Sequence, residues 1–527
     1  MYGLTMDYQL TVPALLRRVE SHFGNVELVD RHPDGSYSRT TYGDVASRAR
    51  QLAAALERWG IRRGDRVATF CWNSSTHLEA YLGVPSGGFV LHPLNPRLHA
   101  DDLAYIASHA QDRVLIADRA AQPLIEQFLD RTSIEEVFYI EDSYQELLAT
   151  ASPEEWVDPQ LDEREAGTMS YTTGTTGAPK GVVHSHRALM LHTLGLGTCL
   201  GSAVGINRND VLMPGVSMYH GNGWGLPYLA SMLGIKTVFT GPRLDPHTML
   251  EASVLEGVTV SSGVPTIWLG IIDELDSHPE RWDLSQLRTV LSGGAPVPRC
   301  MVTGLANHGV GVCQIWGMTE LTCGTAVDLP LDVLEGDEDA RFDAEAEQGI
   351  SLPMVEIRGR DDDGNLIPWD GTAIGELEVR GPWVAGSYYD APETAASWTE
   401  DGWFKTGDVV CIHPSGSMQV VDRTKDLIKS GGLWISSVAL ENQLMAHPNV
   451  VEAAVIAEPH DKWGERPVAV VVLAEGRKVS PSDLRDFIAP HFPRWCLPDR
   501  FEFVEELPKT GVGKFLKRTL REQFATA

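Results

Sequence analysis

The chain has 527 residues, with 43 Lys plus Arg against 72 Asp plus Glu, a formal net charge of −29, and 43% apolar and 22% charged content. That length exceeds one ordinary hydrophobic core, so a globular chain of two or more domains is expected. The charge disfavours nucleic acid and anionic membrane as partners and favours a small-molecule or protein partner, and a polyanionic small molecule would need its own local lysines and arginines.

Residues 41–59 carry apolar side chains at helical spacing, and 65–70 read as a buried strand. A helix over 76–83, a strand over 90–94 and strands near 114–117 and 137–140 continue the alternation expected of parallel α/β layers. Residues 166–170 read as a short strand, 182–183 as another, and a helix starts near Ser185. The uncharged run 188–206 is broken by glycines and reads as a buried helix and loop rather than a membrane span. Residues 349–389 hold closely spaced short strands with turn glycines and Pro382, which suggests a smaller β-rich subdomain. After 420–426 the chain restarts: helix 438–446, strands 450–456 and 468–473, helix 480–488, strand 501–504, then a glycine loop and a basic helix over 511–524. The fold expected is α/β. A large N-terminal domain of layered subdomains (1–422) is followed by a small mobile C-terminal α/β domain (423–527).

The seven cysteines are scattered and form no C-x-x-C pair, which argues against a disulfide framework or zinc site and for a reducing compartment. No basic-then-apolar leader opens the chain, and its last residues are not a peroxisomal address, so a cytoplasmic location is expected.

The chemistry concentrates in five segments. Tyr171 to Gly181 reads Tyr-Thr-Thr-Gly-Thr-Thr-Gly-Ala-Pro-Lys-Gly. Glycine backbone, the hydroxyls of Thr172, Thr173, Thr175 and Thr176, and the Lys180 charge describe a cradle for a polyphosphate around Gly174 and Gly177. The spacing is not that of a Walker A loop. Ser292-Gly293-Gly294-Ala295-Pro296 offers bare backbone on which a flat ring can lie. Gln314-Ile315-Trp316-Gly317-Met318-Thr319-Glu320, read as the turn after a strand-like 309–313, offers an aromatic face, a hydroxyl and a hard oxygen ligand suited to Mg²⁺. Gly402 to Asp408 ends in a carboxylate expected at a strand end and suited to ribose hydroxyls, with Arg423 a second candidate partner. Leu507 to Phe515 places Lys514 on a glycine-flanked loop before a helix. Each segment alone also reads as an ordinary turn, core tryptophan, cap or solvated lysine.

In this order and spacing the five segments resemble the adenylate-forming superfamily of acyl-CoA synthetases, peptide-synthetase adenylation domains and beetle luciferases. Residues 214–228 and 422–432 are similar to fatty acyl-CoA ligases and equally to 3-methylmercaptopropionate-CoA ligases. The resemblance implies a ligase of lipid metabolism using ATP, Mg²⁺ and coenzyme A, with a homodimer compatible with it. A carboxylic acid would attack the α-phosphate, and the small domain would then turn about a hinge near Asp422 to admit coenzyme A. Lys514, Thr319 and His220 would be catalytic. Glu320 would hold the metal, and Gly431 and Gly432 would approach the pantetheine. His220, Trp224 and Ile315 would line the acid pocket, with Trp224 as its gate. No acid lies between Val211 and Leu244, which counts against an amino-acid substrate. Gly221 and Gly223 stand where relatives often carry larger residues, Ile315 where many carry glycine, and Leu433 where close relatives carry glutamate before the tryptophan. Gly317 is small where acetate-specific relatives place a bulky ring. The expectation is an acyl-CoA ligase for a short- or medium-chain apolar acid. Its rivals are a 3-methylmercaptopropionate-CoA ligase, an acyl-adenylate ligase loading a carrier protein, a non-catalytic nucleotide sensor and a luciferase-like oxygenase.

Overall fold

The computed structural model describes all residues except Tyr2, 173–177, Gly432, Glu475, 510–514 and 525–527, together with the side chain of Leu331. Among the described residues the strands form four sheets. The first, six-stranded, runs in the order Glu136–Tyr139, Asp112–Ala117, Arg66–Phe70, Val90–Pro93, Ala166–Tyr171, Gly181–Ser185. Its first five strands are parallel, and Gly181–Ser185 returns antiparallel to Ala166–Tyr171. The return starts at residue 181, so the phosphate-type segment is the connection between these two paired strands.

The helix Tyr42–Trp59 shows how sequence sets the local structure. Thr41 caps it in a reciprocal box with Asp44, Gly60 stops it at φ 114°, and Val45, Ala46, Ala49, Leu52, Ala55 and Leu56 are buried along one face. Against it packs the helix Ser75–Ser86, whose residues are buried on all sides.

The second sheet has nine strands. Its parallel centre comprises Gly311–Trp316, Thr289–Gly293, Val260–Gly263, Val211–Pro214, Lys236–Phe239 and Glu27–Arg31. The hairpin Glu27–Arg31 with Tyr37–Thr41 thus joins strands about two hundred residues later in the chain, which periodicity did not reveal. The β-rich subdomain is an antiparallel sheet of Glu356–Arg360, Gly375–Arg380, Phe404–Ile412 and Met418–Arg423. The C-terminal sheet contains Leu433–Ile435, Ile428–Ser430, Gly464–Leu473 and Val450–His460, with Arg500–Phe503 paired parallel to Gly464–Leu473. Its own core, around Ile428, Leu440, Val455, Val471 and Leu484, is separate from those of the preceding sheets. The architecture is the mixed α/β one expected, with a large multi-sheet N-terminal part and a smaller C-terminal one.

The run 186–203 is the helix His186–Ala203, and no helix among the described residues is long and apolar enough to cross a membrane. Two local expectations change. Gln314, Ile315 and Trp316 belong to the strand Gly311–Trp316 rather than to the turn after it. Asp408 sits within the strand Phe404–Ile412, opposite Arg423, rather than at a strand end.

Candidate active site

The nucleotide side begins at two adjacent parallel strands, Thr289–Gly293 and Gly311–Trp316, which end level with each other at Gly293 and Ile315. A Cβ on Gly293 would lie 2.2 Å from the Ile315 carbonyl oxygen, so only glycine allows that approach. Gly294 follows at φ 78°, and Ala295 and Pro296 lead into the helix Arg299–Asn307. Trp316 is 9% exposed, and its Nε1 donates to Asp408 Oδ2 at 3.0 Å. Arg423 Nε reaches Asp408 Oδ1 at 2.6 Å, with Asp408 buried and Arg423 partly exposed. Trp316, Asp408 and Arg423, expected to serve adenine and ribose, are therefore one hydrogen-bonded unit.

The phosphate side is closed at its base by two bonds. Thr172 N donates to the Lys180 carbonyl at 2.9 Å, and Lys180 N to Thr172 Oγ1 at 3.1 Å. Thr173, Gly174, Thr175, Thr176 and Gly177 lie outside the described residues, as do Gly432 and Lys514. Lys180 Nζ stands 4.9 Å from the centre of the Tyr388 ring, and Tyr388 donates its hydroxyl to Glu320 Oε1 at 2.5 Å. Burial and the neighbouring Glu320 carboxylate push the Tyr388 phenol well above its usual range. Tyr388 thus bridges the loop lysine and the candidate metal carboxylate. The sequence reading missed it, because nothing in its local pattern separates it from any tyrosine of a β-rich segment.

A cavity of about 390 Å³ brings Thr172, Lys180, His220, Trp224, Thr319 and Glu320 to one space. A second, of about 820 Å³, is lined by Gly294, Ala295, Pro296 and Asp408 on one side and by Glu441, Asn442 and Lys517 on the other. The two share Gly294, Ile315, Trp316, Gly317, Arg423, Asp426 and Phe515. Phe515 directly follows Lys514, so the C-terminal part faces the site at that point. A Cβ on Gly317 would meet the Thr322 carbonyl oxygen at 1.9 Å, which gives this glycine a backbone reason independent of any acid. Gly431, at φ 60°, donates its N–H to the Trp463 carbonyl at 2.7 Å on the C-terminal sheet and does not line either cavity.

Between the two parts runs a buried polar chain. Ser437 donates from both N and Oγ to Asp422 Oδ2 at 2.6 Å. Lys517 Nζ donates to Ser437 Oγ at 2.6 Å and pairs with Glu441 Oε1 at 2.6 Å. Arg521 pairs with Asp426 at 2.5 Å. Among the described residues no cluster of three His, Cys, Asp or Glu side chains could cage a metal on its own. Glu320 is a single buried carboxylate with one oxygen taken by Tyr388. That suits Mg²⁺, which brings most of its ligands as water and phosphate oxygens.

Comparison with known proteins agrees with this arrangement. The AMP-binding enzyme family matches residues 15–389, and the AMP-binding enzyme C-terminal domain matches residues 439–514. A long-chain-fatty-acid–CoA ligase of Thermus thermophilus is 44% identical, with 98% of this chain and 96% of that protein covered. A 3-methylmercaptopropionyl-CoA ligase of Ruegeria lacuscaerulensis is 39% identical, with 100% and 99% covered. The ATP-bound crystal structure of MatB from Rhodopseudomonas palustris superposes with a TM-score of 0.84 at 26% identity, covering 98% of this chain and 99% of that one. The chain belongs to the AMP-binding enzymes, the adenylate-forming superfamily. Within it, this protein is an acid–thiol ligase, an ATP-dependent acyl-CoA synthetase.

Proposed function

We propose that the enzyme activates a short- or medium-chain apolar carboxylic acid, first as its adenylate and then as its coenzyme A thioester. The observation that carries the choice of acid is the 390 Å³ cavity, in which His220 and Trp224 share their space with the phosphate-side residues Thr172, Lys180 and Glu320. Once phosphates occupy their share, the remainder suits a modest chain. Ile315 lines the same cavity.

In the first half-reaction a carboxylate oxygen attacks the α-phosphorus of ATP, and the bond to the β-phosphate oxygen breaks, releasing pyrophosphate. Thr172 to Lys180 and Thr319 would supply donors where negative charge gathers, with Lys514 as a further one. Glu320 would hold Mg²⁺, which when bound shields the phosphate charge. Trp316 would face the adenine, Asp408 and Arg423 the ribose, and His220 the acid's carboxylate. In the second half-reaction the thiol sulfur attacks the acyl carbonyl, the bond to the phosphate oxygen breaks, AMP leaves and the thiol proton passes to solvent. We place the boundary between a large domain, 1–422, and a small one, 423–527, and infer that the small one turns about Asp422 between the two steps, bringing Gly431 and Gly432 toward the pantetheine.

The test is AMP release with ATP, Mg²⁺ and coenzyme A across straight-chain acids from acetate to palmitate, with 3-methylmercaptopropionate, branched and aromatic acids alongside. Highest kcat/KM for butyrate to decanoate supports the reading. A preference for palmitate overturns the chain length, and a preference for the thioether acid assigns the enzyme to 3-methylmercaptopropionate. Thioester found on a phosphopantetheinyl protein but not on coenzyme A would move it to carrier-protein loading.

A further inference from the structure

Five consecutive residues, Gly221 to Gly225, lie in the left-handed region, with φ of 47°, 47°, 59°, 55° and 76°. Three are glycines, for which this costs little, and asparagine tolerates it better than most. Trp224 does not: a bulky side chain at φ 55° is strained and persists only where its surroundings over-determine it. The turn is held from two sides. Beneath it, a Cβ on Gly225 would lie 2.4 Å from His192 Cε1, so the His192 ring closes that face. Behind it, Asn222 is 2% exposed. Its Nδ2 donates to Thr168 Oγ1 at 2.6 Å, and Ser170 Oγ donates to its Oδ1 at 2.9 Å.

Thr168 and Ser170 stand two residues apart on the strand Ala166–Tyr171 and so project to the same face. That strand runs directly into Thr172 and is paired on both sides, with Val90–Pro93 and with Gly181–Ser185. It is the fixed partner and the left-handed turn the strained one. The same turn begins next to His220 and carries Trp224, whose ring approaches Gly294, with Cζ2 3.5 Å from a Cβ placed there.

We propose that Asn222 is a positioning residue: its amide latches the turn carrying His220 and Trp224 to the strand that enters the phosphate loop, so that the acid's seat and the nucleotide's phosphates share one frame. Asn222 acts through Trp224 and His220, not on the reacting atoms. Loss of the latch frees the turn rather than the doubly paired strand. The acid's KM and chain-length preference then change while the KM for ATP holds. The proposal rests on the acyl-adenylate reading above.

The experiment compares wild type, Asn222→Gly, Thr168→Val and the double variant. Glycine keeps the left-handed backbone accessible, and valine keeps the shape of Thr168 while removing the acceptor. Measured are KM for ATP, kcat/KM for butyrate and decanoate, and melting temperature. Each single variant is expected to change the butyrate-to-decanoate ratio in the same direction by at least about fivefold, within the range of coupling between linked sites. The KM for ATP is expected to stay within about twofold, and adding Thr168→Val to Asn222→Gly should change the ratio no further, because the bond is already gone. Ratios within about twofold of wild type, or effects that multiply in the double variant, would overturn the latch even where stability falls. Should Asn222→Gly not fold, Thr168→Val combined with Ser170→Ala, which together remove both partners of Asn222, decides by the same ratio. A wild type that converts neither acid removes the underlying reading and the latch with it, whereas unchanged selectivity in an active enzyme removes only the latch.

Discussion

Trp316 Nε1 and Arg423 Nε divide the two oxygens of Asp408 between them. A ribose bound there, as proposed, would meet a carboxylate that is already oriented, which is how a site avoids reorganising when ligand arrives. Asp408→Ala would leave a buried indole N–H and a guanidinium without their acceptor, a loss typically of about 1–3 kcal/mol per unsatisfied group. Isothermal titration with MgATP should show affinity down at least about tenfold and a lower melting temperature, and unchanged affinity would detach Asp408 from the nucleotide. Lys514 sets a sharper test. Removing one preorganised donor costs roughly 10²–10³-fold in rate. Lys514→Ala should lose that much in pyrophosphate release yet still make thioester from presynthesised acyl-adenylate and coenzyme A. Equal loss in both half-reactions would contradict its role.

At the scale of elements, the C-terminal helix Lys517–Phe524 is fastened by its first turn. Lys517 is buried against Glu441 and Ser437, and Ser437 in turn holds Asp422. Burial disfavours the Lys517 charge, but Glu441, Asp422 and Asp426 together outweigh it and raise its pKa above the usual lysine range. Removing one partner of a buried pair leaves the other charge uncompensated and costs about 3–5 kcal/mol. Lys517→Met should therefore lower the thermal transition of the C-terminal part, and an unchanged melting curve would show the pair to be dispensable. The strand and helix pattern of this part was legible in the sequence because its two long strands are rich in valine and alanine. The five chemical segments were legible for a different reason. Glycine, threonine and tryptophan at fixed spacing carry local instructions that tertiary context does not erase. Two features were not. The partnership of the hairpin Glu27–Arg31 with Lys236–Phe239 depends on sheet order, which no local window records. The Lys180–Tyr388–Glu320 bridge joins three residues far apart in the chain. Asp408, expected at a strand end, lies within the strand Phe404–Ile412 instead, because the glycine before it resembles a turn signal.

Across the whole molecule, burial holds four histidines neutral. His77, His184 and His186 are pushed down to about 4 and His192 to about 3, in each case chiefly by loss of hydration. Unfolded, each would take up a proton near pH 6.5. The unfolded chain thus gains protons that the folded one refuses, and stability present above pH 6.5 is lost as pH falls toward 4. Carboxyls raised chiefly by burial act in the opposite sense: Asp118 to about 6, Glu441 to about 7, and Asp30, Glu79, Glu345 and Glu376 upward as well. The four histidines take up their protons in the unfolded chain in the middle of the span from pH 7.5 to 5.5, so the urea midpoint should be lower at pH 5.5 than at pH 7.5, and an equal or higher midpoint at pH 5.5 would contradict the assignment. Phe515 and Lys517 of the C-terminal part line the larger cavity together with Trp316 and Asp408. An acid activated as its adenylate before any thiol takes part should let labelled pyrophosphate exchange into ATP with coenzyme A omitted. That exchange should require a carboxylic acid, and adding coenzyme A should then give equal amounts of AMP and acyl-CoA. Exchange absent with every acid, or thioester formed with ADP as the other product, would contradict activation as the adenylate.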